Sequence, residues 1–281
     1  MEFVLEVRPP EGELYYLPLP QSGTVTFGRE APADVVIRDQ FISRSHFRLQ
    51  CAETLHVLTD AGSSNGTYVN GMRVRGSLLK PRDAIYAGRT AFRFAAVLEG
   101  KVILDSLPES PGELLPWQSK LIASLESSCN FVVLDGAIGP AVRDLLNQAG
   151  VFYQSLYEGE QAVELAPFGP YLAEIKKGGK LMPFLIKVGW GKSWGVFLSC
   201  DLGFVDTRRH LRKFLLADIE GGQRVIFRFY DPRVMRIFIP TCDAGQRTEF
   251  FGKIQHFFVE AAAETIVNRY GVGSDEQFEL V

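Results

Sequence analysis

Cysteine and histidine are scarce in this 281-residue chain, with four of each. Cys51, Cys129, Cys200 and Cys242 are scattered without a Cys-x-x-Cys pair, and the histidines are equally dispersed, so no metal-ligand spacing appears. No metal and no other cofactor is expected, and the thiols read as buried free cysteines of a reducing compartment. Long apolar runs are missing as well. None approaches the roughly 20 residues that span a bilayer, so membrane insertion is not expected. The opening Met-Glu-Phe-Val-Leu-Glu-Val-Arg is acidic early and has no basic stretch leading into an apolar one, which is unlike a secretory leader. The expected location is the cytoplasm. An excess of one charge is also lacking: 30 basic against 33 acidic residues leave a net charge of -3. Dividing after Leu98 gives 11 basic and 10 acidic residues before the cut, 19 and 23 after it. Neither part is a strong field source, so nucleic acid is not an expected partner.

What is present is enough apolar material, 46% of residues, to build real cores, in a length suited to two domains. From Phe3 to about Val97, short apolar runs such as Phe3-Val4-Leu5-Glu6-Val7, Thr24-Val25-Thr26-Phe27 and Ala91-Phe92-Arg93-Phe94 alternate with turn residues. They are rich in β-branched and aromatic side chains, and turns recur about every 8 to 12 residues. That spacing predicts an all-β sandwich over residues 1–98.

Three clusters sit on connections between these runs: Gly28-Arg29, Ser43-Arg44-Ser45-His46 and Ser63-Ser64-Asn65-Gly66-Thr67. In this order and spacing they resemble the phosphothreonine-reading loops of a forkhead-associated (FHA) domain. The chemistry suits the ligand. A phosphothreonine carries nearly two charges and three acceptor oxygens, and needs a charge-assisted donor beside short pre-oriented ones. The resemblance implies that Arg29 supplies the guanidinium, Ser43 a hydroxyl, and Ser64 a second hydroxyl or backbone contact. Asn65 would hold the ligand's main chain, and Arg44 would add charge at the rim. Gly28 and His46 are loop-shaping residues in that pattern. Asn70-Gly71 is a hairpin signal and reads as structural.

Residues 99–112 concentrate Pro, Gly, Ser and acid, notably Asp105-Ser106-Leu107-Pro108-Glu109-Ser110-Pro111-Gly112, and read as a linker. Lys101 to Leu104 would add a strand to either neighbour. Over residues 113–281 helical and strand patterns alternate, which predicts a mixed α/β domain. Helices are expected over Trp117 to Leu125, Pro140 to Ala149, Thr207 to Leu216 and from Pro232 through about Ile239. Strands are expected over Phe131 to Leu134, Trp194 to Ser199 and Arg224 to Tyr230. Leu134-Asp135-Gly136-Ala137, Ser155-Leu156-Tyr157, Pro170-Tyr171-Leu172, Gly189-Trp190-Gly191, Ser193-Trp194-Gly195, Arg209-His210-Leu211-Arg212 and Phe227-Arg228-Phe229-Tyr230-Asp231-Pro232-Arg233-Val234 resemble the effector-adaptor chaperones of bacterial type VI secretion. This likeness spans roughly residues 117–255 and leaves the tail after about His256 unassigned. It implies a non-catalytic cytoplasmic protein that binds a toxic effector and helps load it onto a VgrG-like spike protein.

Within this half, Trp190 and Trp194 are large rings between glycines, suited to a core or to a recognition surface. Arg228 and Arg233 flank a capped helix start, and either pair with Asp135 and Asp231 or present forks to a partner. Arg208, Arg209, Arg212 and Lys213 form a basic stripe expected to lie solvated. Gly191-Lys192-Ser193-Trp194-Gly195 matches the Gly-x-Ser-x-Gly of hydrolase elbows, with Asp206, Asp243, His210 and His256 following. An elbow needs a helix immediately after its serine, whereas Val196-Phe197-Leu198 reads as a strand, so a serine hydrolase is the disfavoured alternative. A constitutive, phosphate-independent interaction scaffold is the other.

Overall fold

The computed structural model describes residues 2–53, 55–98, 101–103, 110–138, 140–158, 169–218 and 224–280. The chain divides into two compact units, Met1–Ser106 and Leu107–Val281.

The first unit is a pair of β-sheets. One runs β2 (Tyr15–Pro18), β1 (Glu2–Arg8), β11 (Thr90–Leu98), β10 (Ala84–Ala87), β7 (Thr67–Val69), β8 (Met72–Val74). The other runs β4 (Val35–Val36), β3 (Gly23–Gly28), β5 (Phe47–Ala52), β6 (Leu55–Asp60), β9 (Gly76–Leu78). Strand β5 shows why the sequence folds this way: Phe47, Leu49 and Cys51 point inward while Arg48, Gln50 and Ala52 face out. Leu5, Val7, Phe27, Phe47, Leu58, Phe92 and Phe94 fill the space between the sheets. Phe27 stacks on Phe47 at 4.5 Å between centroids, and Phe92 meets Phe47 edge-on at 5.4 Å. Each such ring contributes about 1.5–3 kcal/mol by burial. Because Phe27 pairs with Phe47 in the β3–β5 ladder, the chain leaves the core at Gly28 and re-enters it at His46. The loops carrying the polar clusters are thereby held over a rigid aromatic base.

Strand β12 (Lys101–Ile103) pairs with β11, so the run that suited either neighbour belongs to the first unit. Most of the expected linker, residues 99–100 and 104–109, lies outside the described residues.

The second unit centres on a seven-stranded antiparallel sheet in the order β14 (Tyr153–Ser155), β15 (Pro170–Glu174), β13 (Phe131–Asp135), β16 (Gly195–Cys200), β19 (Ile254–Glu260), β20 (Ile266–Gly271), β21 (Asp275–Glu279). Helices α1 (Pro116–Ser128), α2 (Pro140–Ala149), α3 (Leu181–Phe184), α4 (Phe204–Arg212), α5 (Pro232–Thr241) and α6 (Ala244–Phe251) accompany it, making a mixed α/β unit. The unassigned tail supplies β20, β21 and the second half of β19, with Phe257, Val259 and Tyr270 in the core. Phe227, Phe229, Phe238, Phe250 and Phe257 form a continuous ring cluster there.

Two expected elements differ. The basic-faced helix runs Phe204–Arg212, not Thr207 to Leu216: Gly203 already has the extended conformation of a cap, and Leu216 opens a strand. The strand expected through Tyr230 stops at Ile226: β18 (Arg224–Ile226) pairs with β17 (Leu216–Asp218) in a separate ribbon, and Phe229 and Tyr230 turn inward ahead of α5. Asp231 caps α5, accepting from the Arg233 N–H, with Pro232 in the first turn. No described helix is long and apolar enough to cross a membrane.

Candidate functional site

At the end of β3 the backbone approaches the Ser43 loop so closely that a Cβ on Gly28 would lie 1.8 Å from the Arg44 carbonyl oxygen. That obstacle is main chain and cannot swing aside, so glycine is a steric necessity. The approach permits the Arg29 N–H to donate to the Ser43 carbonyl at 3.1 Å, and the His46 N–H to the Phe27 carbonyl at 2.7 Å. Arg29 leaves the loop with its side chain half exposed, and Arg44 is more exposed still. The Glu30 carboxylate lies 3.7 Å from Arg29 and 3.8 Å from Arg44, loosely shared between them.

His46 is fully buried. Its Nδ1 accepts the Ser43 N–H at 3.0 Å, which places the ring proton on Nε2, and Nε2 donates to the Gly66 carbonyl at 3.1 Å. Burial pushes its pKa down, against the Gly66 hydrogen bond and the charges of Asp60 and Asp39, so the ring is neutral. The Ser43 Oγ accepts the Ser64 N–H at 3.0 Å, and its own hydroxyl proton is left to donate. Asn65 donates one amide hydrogen to the Phe41 carbonyl at 2.7 Å. The residue is exposed, and its amide carbonyl and second N–H make no other hydrogen bond among the described residues. Three loops distant in sequence are thus cross-tied by Arg29–Ser43, Ser43–Ser64, Phe41–Asn65 and His46–Gly66. Arg29, Ser43, Ser64 and Asn65 are brought together, and Arg44 stands at the rim.

Two carboxylates that sequence reasoning passed over anchor these loops. Asp60 accepts from the Gly62 and Ser63 N–H groups, both at 2.9 Å, and from the Ser63 and Thr67 hydroxyls, both at 2.6 Å. Burial alone would raise its pKa, but these four donors hold it below the usual carboxylate range. Its three-residue spacing to Ser63 was a usable signal of a local Asx-type turn. Asp39 is buried and accepts from the N–H groups of Phe41 (2.9 Å) and Arg89 (2.6 Å) and from the Thr90 hydroxyl (3.0 Å). Arg89 and Thr90 lie about fifty residues on, with no local signal. Asn70 takes a positive φ of 50° with Gly71 in the β7–β8 hairpin and bonds Asp83 and the Ala84 N–H, apart from the cluster of loops.

In the second unit, Trp190 is buried, its indole N–H donating to the Glu264 carbonyl at 2.8 Å. Of the two uses open to it, core or recognition surface, the burial favours the core. Trp194 is half-buried and lies against Gly189, where a Cβ would meet its ring at 2.7 Å. Arg228 pairs with the buried Asp135, and Arg233 bonds Asp231 through two nitrogens at 3.0 and 2.7 Å. Both arginines face inward partners while their side chains stay 44% and 63% exposed. The basic stripe is not uniformly solvated as expected. Arg208 donates to the Ser155 and Tyr157 carbonyls at 2.8 and 3.2 Å, Arg212 to that of Leu156 at 3.0 Å, and both face Glu158. They tie α4 to the chain leaving β14. Arg209 pairs instead with Asp206 on its own helix at 2.7 Å.

Ser193 directs its N–H (2.7 Å) and hydroxyl (3.2 Å) to the buried Glu260 carboxylate, which also accepts the Gly191 N–H at 2.6 Å. Burial raises the Glu260 pKa in spite of these donors. The histidines of the hydrolase alternative are engaged elsewhere: His210 with the Phe250 carbonyl at 2.8 Å and His256 near the Ser199 hydroxyl at 3.5 Å. Ser193 is a turn residue between the two tryptophans, tied to Glu260.

Comparison with known proteins assigns both regions. Residues 25–88 match the FHA domain family, and residues 130–249 match a family described as a domain of unknown function, DUF4123. Over 93 residues the chain is 32% identical to the oxoglutarate dehydrogenase inhibitor of Corynebacterium efficiens, covering 33% of this chain and 63% of that protein. The corresponding inhibitor of Corynebacterium glutamicum is 31% identical over the same shares. The chain thus spans under two thirds of the length of these curated relatives. Among solved structures, the FHA domain of the CT664 protein from Chlamydia trachomatis aligns at 26% identity and a TM-score of 0.33, covering 35% of this chain and all of that one.

Proposed function

We propose that this chain, which carries an FHA domain at residues 25–88 and at residues 130–249 a DUF4123 domain of the type VI secretion effector-adaptor family, couples effector delivery to threonine phosphorylation. FHA domains bind phosphothreonine-containing partners, and neither domain family is catalytic. The DUF4123 unit binds a toxic effector and presents it to a VgrG-like spike protein in the bacterial cytoplasm. The FHA unit docks that loaded adaptor onto a threonine-phosphorylated protein. Neither nucleic acid nor a bilayer takes part. Joining two binding modules in one chain raises the effective concentration for the second event once the first has occurred.

One observation carries the phosphate half of this reading. The Ser43 hydroxyl is oriented by the Ser64 N–H with its own proton uncommitted, on a loop joined to Arg29 through the 3.1 Å backbone bond. A guanidinium beside a pre-oriented hydroxyl and backbone donors is what a phosphate dianion requires. Arg29 supplies charge, Ser43 and Ser64 supply neutral donors, and Asn65 engages the main chain next to the modified residue. The test is a binding titration with a phosphothreonine peptide pool and its unmodified counterpart. Wild type prefers the phosphorylated pool, and Arg29→Ala abolishes the preference while co-purification of the effector is retained. Equal affinity of wild type for both pools would refute the phosphate reading.

Glu30, placed between Arg29 and Arg44, favours a second reading: it already neutralises part of the rim charge, as a phosphate-independent platform would need. Phosphatase treatment of a cell extract before pull-down separates the two, since only the first predicts loss of the captured partner.

A further inference from the structure

Gly66 closes the Asn65 turn at φ +81°, and one face of its α-carbon is covered by a side chain from a different strand. A Cβ built there would lie 2.4 Å from Arg73 Nε, 3.0 Å from Cζ and 3.1 Å from Cδ. Arg73 stands in β8 opposite Tyr68, so ladder register delivers its guanidinium to the turn. The glycine serves two ends: it takes a left-handed conformation, and it leaves a flat backbone surface on which the guanidinium rests.

Arg29 and Arg44 share Glu30, and Arg89 sits over the Phe41 ring at 4.2 Å. Arg73 is exposed, and among the described residues no carboxylate lies within ion-pair distance of it. It is an unneutralised fork whose Cδ, Nε and Cζ lie against the Gly66 backbone. It adjoins Asn65, the residue assigned to the ligand's backbone. Since Gly66 follows Asn65 directly, a peptide main chain engaged by Asn65 would run beside the guanidinium.

We propose that Arg73 is a specificity residue selecting phosphothreonine segments with a carboxylate side chain on the stretch that runs past Asn65. The proposal rests on the phosphothreonine reading of the site. The probe is a phosphothreonine peptide of otherwise neutral flanks, with Glu scanned through each flanking position against Gln at the same position. Wild type is expected to favour Glu at one position by about three- to ten-fold, the scale of a partly exposed charge-assisted pair. Arg73→Gln erases that preference while still binding the phosphorylated all-Gln peptide in preference to its unmodified form, which also shows that the loops are intact. Arg73→Lys keeps part of it. Absence of any Glu preference in wild type, or its survival in Arg73→Gln, overturns the assignment while leaving the phosphothreonine reading standing. If wild type does not distinguish phosphorylated from unmodified peptide, that reading falls and this assignment falls with it.

Discussion

Replacing His46 by Ala removes two hydrogen bonds at once, the 3.0 Å bond from the Ser43 N–H and the 3.1 Å bond to the Gly66 carbonyl. Leaving a buried amide or carbonyl unpaired costs about 1–3 kcal/mol each, less where water can enter. Truncating a fully buried ring that meets Phe47 edge-on adds a cavity cost. A loss of about 3–6 kcal/mol from the first unit follows, a large share of the 5–15 kcal/mol typical of a domain. Trp117, Trp190 and Trp194 all lie beyond residue 106, so their fluorescence follows only the second unit. Pulse proteolysis in urea, read by mass spectrometry of peptides from residues 1–106, isolates the first. The variant's midpoint there should drop well below that of wild type while the tryptophan transition stays in place. The pH dependence has a definite sign. Burial sets the folded pKa of His46 below its ordinary 6.5, so at acid pH the unfolded chain binds more protons than the folded one. Stability of the first unit therefore falls as pH drops below 6.5, by at most about 1.4 kcal/mol per pH unit for one group. His46→Ala should lose that part of the acid sensitivity and keep the part from His56, which burial shifts the same way. An unchanged midpoint in the variant, or a wild-type first unit equally stable at about pH 5 and about pH 7, would refute the reasoning.

The second unit offers two further tests. Arg228→Ala strips the buried Asp135 of its ion-pair partner and leaves it, among the described residues, the Ala137 N–H at 2.9 Å as side-chain donor. Because Arg228 is itself half-exposed, the expected loss is about 2–4 kcal/mol, below the full figure for breaking a buried pair, and a denaturant titration followed by tryptophan fluorescence measures it. Ser193→Ala removes one hydroxyl bond to Glu260 and puts alanine at φ 58°, which should lower stability by about 1–2 kcal/mol. Any trace esterase signal of the preparation should be the same before and after this change. A signal that vanishes with Ser193 would reinstate the hydrolase alternative.

The alternation of β5, the turn every 8 to 12 residues and the ordered loop clusters were legible because they are local: strand period and turn chemistry act over a few residues. So was the start of α5, where Asp231 and Pro232 act on their own first turn. Asp60 was nearly legible, being a short span from Ser63 and Thr67. The end of β18 at Ile226 was not, because a strand pattern continues through Tyr230 and only the demand of the ring cluster for Phe229 and Tyr230 turns the chain inward.

By itself, the order of residues determined the sandwich, the mixed second unit and which loops would bear donors, since each of these depends on interactions between near neighbours in the chain. Tertiary structure alone decided which groups those loops lean on and which charges stay uncommitted. Asp39 meets Thr90 across fifty residues, Arg208 and Arg212 reach the carbonyls after β14, Trp190 goes to the core, and Arg73 comes to rest on Gly66. Each outcome turns on where a distant strand or helix delivers a long side chain, and no local pattern encodes a distance between segments that meet only once the cores have closed.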